Sequence, residues 1–427
     1  MPQEDPILIV GAGQAGATAA ATLRALGHGG PVVMVGQEKT PPYERPPLSK
    51  AVLVDESMEG RIGIHPPDFH AAQGIELRLG LEVVELDAGR RVARLSDGSE
   101  QPFSRCLLCT GGVARTLPGL AGNVAAVRTL RTLDDARALR SAITKQASVV
   151  ILGAGFVGLE VASTARSLGC AVTVLESAPR VLSRAMPAEL SSWLERRVAE
   201  AGVDLRLNAQ CRSITAAGQD VLIELADGTG LRAPLLVVAI GLQPCVDLAR
   251  ASGLDLHPLN GGIRVDAQGR TSAPAIFAAG DCVSQFQPIL GEEMRLESWQ
   301  SANEQARVAA AAMLGVQTEA RAVPWFWTDM FGCNVQMMGL PSARLDYHWR
   351  GSADTGQAPP KFLLFGMDPA QRLRHVIAVN AGAELRPLRP LVEQGIPLDP
   401  QRLCDTTVAL RQYARDATAS ASSPSPT

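Results

Sequence analysis

Residues 11–27, GAGQAGATAAATLRALG, and residues 153–169, GAGFVGLEVASTARSLG, align without a gap. Each reads G-x-G-x-x-G and runs on into a helical pattern that closes on a glycine. Short apolar runs flank both copies: ILIV (7–10) and VVIL (149–152) before them, VVMVG (32–36) and AVTVLE (171–176) after them, as buried parallel strands require. Two βαβ units are therefore predicted. Gly11 and Gly153 permit the tight turn, Gly13 and Gly155 let backbone approach a pyrophosphate, and Gly16 and Gly158 let helix and strand pack closely. The phosphate charge then rests on the helix N-terminus. One such motif is an ordinary glycine-rich turn; two in matching strand-turn-helix settings point to two dinucleotides.

The copies differ where the second strand of each ends. Glu176 closes AVTVLE, the place from which a carboxylate accepts hydrogen bonds from an adenosine ribose. In the first copy Gly36 takes that place and the nearest acid, Glu38, lies two residues on, either as a ribose ligand or as a solvated loop acid.

Three more apolar runs end in glycine: CLLCTGG (106–112), LLVVAIGLQP (235–244, with Gly241) and PAIFAAGDC (274–282). The first two bracket the second βαβ unit, which is the signature of an inserted domain. From about residue 320 the composition changes, with VPWFWTDMFGCNVQMMG followed by the strand-like KFLLFG and HVIAVN. The expected fold class is α/β: two Rossmann-like dinucleotide-binding domains, one inserted in the other, plus a C-terminal α+β domain. The expected divisions are 1–115 with 245–320, 116–244, and 321–415, with a disordered tail over 416–427 where DATASASSPSPT is small, polar and proline-bearing.

The chain of 427 residues carries a net charge of -3, which gives no reason to expect a nucleic-acid partner. Its longest apolar runs fall short of a membrane span. The N-terminus is acidic where a signal peptide is basic, so the cytoplasm is expected. Eight cysteines are too sparse for a disulfide framework, and six histidines without ligand spacing assign no metal.

One more stretch stands out. PPYERPPLSK (41–50) places Lys50, one of only four lysines among 40 basic residues, behind a proline-stiffened segment carrying Glu44 and Arg45. A compact ammonium where the chain otherwise uses arginine suits a buried site, and a solvated surface turn is the alternative.

With PPYERPPLSK, the doubled glycine motif, CTGG (109–112), LRTLDDA (130–136), FAAGD (277–281), RLESW (295–299) and PWFWTD (324–329) in this order, nearly the whole chain resembles the flavin-dependent NADH:ferredoxin reductases of bacterial oxygenase systems, the putidaredoxin and rubredoxin reductases among them. The resemblance implies FAD on the first domain, NADH on the inserted one, and a [2Fe-2S] ferredoxin or rubredoxin as electron acceptor, in a monomer or homodimer without nucleic-acid or membrane partners. It implies cofactor contacts from Arg45, Lys50, Thr110, Gly111, Arg131, Gly280, Asp281, Glu297, Ser298 and Trp299, with Trp327 near the isoalloxazine end. It also implies that Lys50 and Glu160 pair beside the flavin as the catalytic residues. Ala306 and Met330 depart from the family pattern, which bears on the fine shape of the flavin pocket and its acceptor side. Arg295, Arg307, Arg321 and Arg344 flank the motifs and are candidates to steer an acidic iron–sulfur carrier.

Two other functions compete. A disulfide reductase shares both dinucleotide domains but needs a redox cysteine, and Cys106-x-x-Cys109 lies in a strand, where residues three apart point to opposite faces. A redox-sensing flavoprotein resembling apoptosis-inducing factor is the other, with no basic tail or targeting segment in its support.

Overall fold

The computed structural model describes residues 6–117, 126–318, 323–353 and 359–422. The backbone groups into two compact units, Met1–Pro46 with Ser57–Val113 and Leu242–Ala322, and Pro47–Glu56 with Ala114–Gly241 and Val323–Thr427. The first is discontinuous and leaves out Pro47–Glu56. The second gathers the inserted and C-terminal segments together and takes in the stretch that carries Lys50, which the sequence reading had placed with the first domain.

The first unit is built on a parallel sheet in the order Ile276–Ala278, Arg105–Leu108, Ile7–Val10, Val32–Gly36, Ile75–Leu79. The chain leaves Ile7–Val10 on one side and returns on the other, so the first glycine loop emerges where the strand order reverses, the usual ligand-binding edge of such sheets. All four residues of Ile7–Val10 are buried. Ile7 and Ile9 join a core with the helices Gln14–Ala25 and Trp299–Met313, and Leu8 and Val10 join the core on the opposite face. Both helices give small side chains to that core, Ala15 and Ala19 from the first and Ala302, Ala306 and Ala309 from the second. Ala306 is fully buried there, so its departure from the family pattern is absorbed in helix packing.

The second unit repeats the device with a parallel sheet in the order Asp204–Arg206, Ala171–Leu175, Ser148–Leu152, Leu236–Val238, Val127–Arg128. It adds a five-stranded antiparallel sheet, Trp325–Met330, Cys333–Gly339, Leu373–Val379, Lys361–Met367, Asp346–Ser352, flanked by short helices, which is the expected α+β segment. Met330 ends its first strand, buried and paired with Cys333. Helix Leu133–Ile143 starts on a reciprocal cap in which Thr132 accepts from the Asp135 N–H and Asp135 accepts from the Thr132 N–H. Its Arg140 donates to the Val52 carbonyl at 2.9 Å, tying down the segment that carries Lys50.

The tail reading needs correction. Helix Leu410–Ser422 runs through residues 416–422, because the alanines of ARDATASAS favour a helix more than their polar neighbours oppose it. The rest of that stretch, 423–427, lies outside the described residues.

The repeat reaches further than the glycines. Arg24 and Arg166 hold the same place in the two copies, and each donates through Nη1 to the carbonyl just past its own helix, His28 and Cys170, both at 2.6 Å. Each also reaches the turn ahead of the strand that flanks the second strand of its unit, Ile75–Leu79 or Asp204–Arg206, through the carbonyls of Gln73 at 2.7 Å and Ala201 at 3.0 Å. Guanidinium groups at helix C-termini meet carbonyls that the helix itself leaves unpaired.

Candidate active site

In the first unit, Gly11 has φ +113°, and a Cβ there would lie 2.1 Å from the Cys109 carbonyl. A Cβ on Gly16 would lie 2.0 Å from the Gly11 carbonyl, whereas Gly13 has nothing within 4 Å. The first and third glycines are thus required by the protein's own packing, and the middle one leaves its side open. The Ala17 N–H donates to Gly13, which opens the helix ladder and leaves the preceding N–H groups for an anion. Gly36 leaves no room for a side chain: a Cβ there would meet the Ala12 methyl at 2.5 Å.

Glu38 takes the Arg45 guanidinium on Oε1 at 2.7 Å and the Tyr43 hydroxyl on Oε2 at 2.5 Å. Burial opposes the charge on Arg45, but Tyr43, Glu38 and Asp281 outweigh it and hold the guanidinium above its ordinary range. Glu38 is therefore no solvated loop acid; with Arg45 and Tyr43 it forms one polar cluster.

The other predicted residues of this unit are placed by the strand ends. Thr110 donates to the Cys245 carbonyl at 2.6 Å, and Gly111, at φ +62°, accepts from the Cys245 N–H at 3.0 Å. The Gly280 N–H is held by Gln305 at 2.8 Å, and the Asp281 carbonyl accepts from Arg295 at 3.1 Å. Arg295 also pairs with Glu297 at 2.5 Å and is only 12% exposed, so it does not belong among surface residues that steer a partner. Arg307 and Arg344 are exposed, Arg307 pairing with Glu304, and Arg321 lies outside the described residues. Ser298 caps helix Trp299–Met313 by accepting from the Ser301 N–H at 3.1 Å, with Trp299 in the first helical position. Asn303 in that helix takes both the Gln14 amide at 2.9 Å and the Thr18 hydroxyl at 2.5 Å. A glycine loop with open N–H groups beside a fixed acid–arginine cluster fits the pyrophosphate and sugar of FAD.

The second unit repeats the loop. Cβ atoms on Gly153 and Gly158 would lie 2.4 Å from the Ala239 carbonyl and 2.0 Å from the Gly153 carbonyl, and Gly155 again has nothing within 4 Å. Here the acid stands at the strand end: Glu176 accepts from the Ala154 N–H of the loop at 2.7 Å and from the Ala178 N–H at 2.8 Å. A carboxylate has further lone pairs, so both bonds orient it and leave room for a sugar hydroxyl. Gly241, at φ +107°, has the side chains of Arg184 and Arg115 3.6 and 3.9 Å from its Cβ direction. Arg131 stands just before the Thr132 cap, its backbone N–H donating to Asp135 at 2.9 Å.

Lys50 and Glu160 are brought together: Nζ to Oε1 is 2.7 Å, with the side chains 21% and 7% exposed. Glu160 is the fifth residue of helix Phe156–Ser167. It therefore lies in the second turn and not in the first, where a dipole-capping role would have been at home. Lys50 is not a solvated turn lysine.

Three hydroxyl residues that the sequence reading missed complete the cluster. Ser49 donates to Glu160 Oε2 at 2.5 Å, Thr328 to Oε1 at 2.6 Å, and Thr164 to the Ser49 carbonyl at 2.8 Å. Ser49 and Thr328 sit inside PPLSK and WFWTD, so the motifs contained the signal. Trp327 points to the other face of its strand and stacks on Trp325, ring centroids 5.0 Å apart.

Cys106 and Cys109 belong to the cores on opposite faces of the sheet. Burial pushes both thiols up, with Cys282 and Cys106 adding to the effect at Cys109. Neither has the thiolate character that disulfide exchange needs. Among the described residues no group of three or more potential ligands could hold a metal, and no helix is long and apolar enough to cross a membrane.

Residues 5–306 match the model of the pyridine nucleotide-disulphide oxidoreductase family, and residues 325–414 match the reductase C-terminal family. The ferredoxin–NAD(+) reductase component of the anthranilate 1,2-dioxygenase system of Burkholderia cepacia is 41% identical over 96% of this chain and 99% of its own. Putidaredoxin reductase of Pseudomonas putida is 36% identical over 99% of this chain and 100% of its own. The reductase in the crystal structure of the covalent putidaredoxin reductase–putidaredoxin complex superposes with a TM-score of 0.91 at 36% identity, covering 97% of this chain and 99% of that one. With matched glycine loops in both units, an acid near each and a C-terminal antiparallel sheet in the second unit, the chain belongs to the pyridine nucleotide-disulphide oxidoreductase family and, within it, to the ferredoxin–NAD(+) reductases of oxygenase systems.

Proposed function

We propose that this chain draws electrons from NADH and passes them, one at a time, to a small iron–sulfur protein, a ferredoxin or rubredoxin, that feeds an oxygenase. FAD, when bound, supplies the two-electron to one-electron conversion that such a relay requires. The single observation that carries the reading is the pairing of two near-identical glycine loops with different fittings: an acid–arginine cluster at the first, and a Lys50–Glu160 ion pair on the helix of the second.

The chain's own residues divide the work. The loop N–H groups of Gly11–Gly16 hold the FAD pyrophosphate, and Glu38, Arg45, Thr110, Gly111, Arg131, Gly280, Asp281, Glu297, Ser298, Trp299 and Trp327 belong to its surroundings. The loop of Gly153–Gly158, with Gly241 beside it, holds the NADH pyrophosphate, and Glu176 accepts from the adenosine ribose. NADH is preferred over NADPH because the Glu176 carboxylate repels a 2′-phosphate. Arg180 and Arg184 are both close enough in sequence to rescue NADPH; Arg180 is committed elsewhere, its guanidinium donating to the Met186 and Ser183 carbonyls and to Ser191 at 2.6, 2.7 and 2.8 Å, whereas Arg184 stands beside Gly241. Lys50 and Glu160 serve the hydride step, the carboxylate fixing the ammonium in place.

The chain works in the cytoplasm on this reading, supported by eight cysteines of which none forms a disulfide among the described residues.

Reduction of a [2Fe-2S] ferredoxin by NADH, followed against ionic strength beside reduction of an uncharged quinone, tests the function. The ferredoxin rate is expected to fall steeply with salt while the quinone rate barely moves, since such carriers are acidic and exposed arginines such as Arg344 attract them over a screening length of about 10 Å at 0.1 M. Equal salt dependence would argue against electrostatic docking. Failure to reduce any iron–sulfur carrier would favour a redox sensor.

A further inference from the structure

Within the second unit, helix Phe156–Ser167 and strand Trp325–Met330 run side by side with matched steps. Phe156 meets Phe326 with ring centroids 4.5 Å apart, Glu160 meets Thr328 at 2.6 Å, and Ser163 accepts from the Phe331 N–H at 2.7 Å. Four helical residues advance about 6 Å and two strand residues about 7 Å, so Phe326 and Thr328, two apart on the strand, meet helix residues one turn apart. Thr328 is fully buried and Glu160 6% exposed, so neither group has water to fall back on. A buried carboxylate needs its lone pairs filled as well as a counter-charge. Lys50 supplies the charge on Oε1; Thr328 adds a second donor there, and Ser49 is the donor on Oε2. Ser49 lies 3.4 Å from the Lys50 ammonium, which directs its own proton to Glu160.

We propose that Ser49 and Thr328 are positioning residues for the hydride step: by donating to the two oxygens of Glu160 they lock its carboxylate in one orientation and, through it, the Lys50 ammonium. The C-terminal sheet thus takes part in the NADH side of the reaction through one threonine. Each positioning group is itself held by the same helix face, Ser49 through Thr164 and the end of the strand through Ser163.

The inference rests on the reading of Lys50 and Glu160 as the pair that serves hydride transfer, and two readouts on the flavin-loaded protein separate them. The first is the acetylation rate of Lys50 under limiting acetic anhydride, measured by mass spectrometry against the exposed Lys145. The second is the rate of flavin reduction at saturating NADH in stopped flow. Thr328→Val should raise Lys50 labelling about fivefold and slow reduction about tenfold with the NADH dissociation constant unchanged, as loss of a hydrogen bond to a charged group implies. Thr328→Ser, which keeps the hydroxyl, should restore both to within about twofold. Ser49→Ala should act in the same direction and serves if Thr328→Val does not fold. If Thr328→Val and Ser49→Ala leave labelling and reduction as in the parent while Glu160→Ala changes both, the positioning role is wrong and the pair stands. If Glu160→Ala leaves reduction unchanged, the pair reading falls, and labelling alone decides the positioning of Lys50: a rise in Thr328→Val supports it and no rise overturns it.

Discussion

The same helix position carries Thr18 in the first glycine-loop copy and Glu160 in the second. Thr18 spends its hydroxyl on Asn303 of the neighbouring helix, a bond that serves packing. Glu160 brings a carboxylate to the equivalent place and collects Lys50, Ser49 and Thr328. One turn further on, Thr22 bonds back to the Thr18 carbonyl of its own helix at 2.7 Å, whereas Thr164 reaches out to Ser49 at 2.8 Å. The loops hardly differ in backbone, with φ +113° at Gly11 and +106° at Gly153. The two copies share the dinucleotide cradle and differ in the side chain one turn into the helix, where the proposed chemistry of the second rests.

That contrast can be broken most severely at the glycines. Gly16→Ala and Gly158→Ala each force a Cβ onto a carbonyl and should cost about 3 kcal/mol of stability, seen as a fall in Tm. Gly13→Ala and Gly155→Ala have open space and should leave Tm nearly unchanged while weakening binding of FAD in one case and NADH in the other. Equal Tm losses at all four positions would mean that the loops are not built as described.

The helix position itself gives the next effect. Glu160→Ala strands Lys50 in a largely buried place and should cost about 3 kcal/mol, against about 1 kcal/mol for Thr18→Ala, by chemical denaturation. Similar costs at both would deny that the two copies have diverged in role.

At the ribose end, Glu176→Ala should lower the NADH over NADPH ratio of kcat/KM about tenfold, because a charged acceptor is removed and the committed Arg180 stays where it is. An unchanged ratio would remove Glu176 from the binding site. The smallest effect is expected at the cysteines. With both thiols buried, Cys106→Ala with Cys109→Ala should leave NADH-driven ferredoxin reduction within about twofold, at some loss of stability. Loss of acceptor reduction with flavin reduction preserved would revive the disulfide-reductase reading.

Much of this was legible beforehand because it is local. Glycines at fixed spacing, apolar runs on either side and an acid at the end of AVTVLE are read within a few residues of one another. The Lys50–Glu160 pair was reached through resemblance, since nothing local joins residues so far apart. The hydroxyl donors were missed for the same reason: Ser49 and Thr328 are 111 and 168 residues from Glu160 in the chain, and an isolated serine or threonine advertises nothing. Arg24 and Arg166 could have been found, because the two copies align without a gap and both carry arginine there. The displaced acid at Glu38 was visible; the close approach of Ala12, which leaves no room for a Cβ on Gly36, was not. The helix over 416–422 was lost to a compositional reading that weighed serine and threonine over alanine.

The most direct test of the divergence between the copies is a double-mutant cycle on the rate of flavin reduction by NADH, with Lys50→Met, Glu160→Ala and the two combined, in anaerobic stopped flow. If the two side chains act as one unit, each single change slows reduction and the double change is little slower than either, leaving a coupling of about 1 kcal/mol or more. Strictly additive effects, or a reduction rate unmoved by either substitution, would contradict the assignment and leave Glu160 a structural partner, as Thr18 is in the other copy.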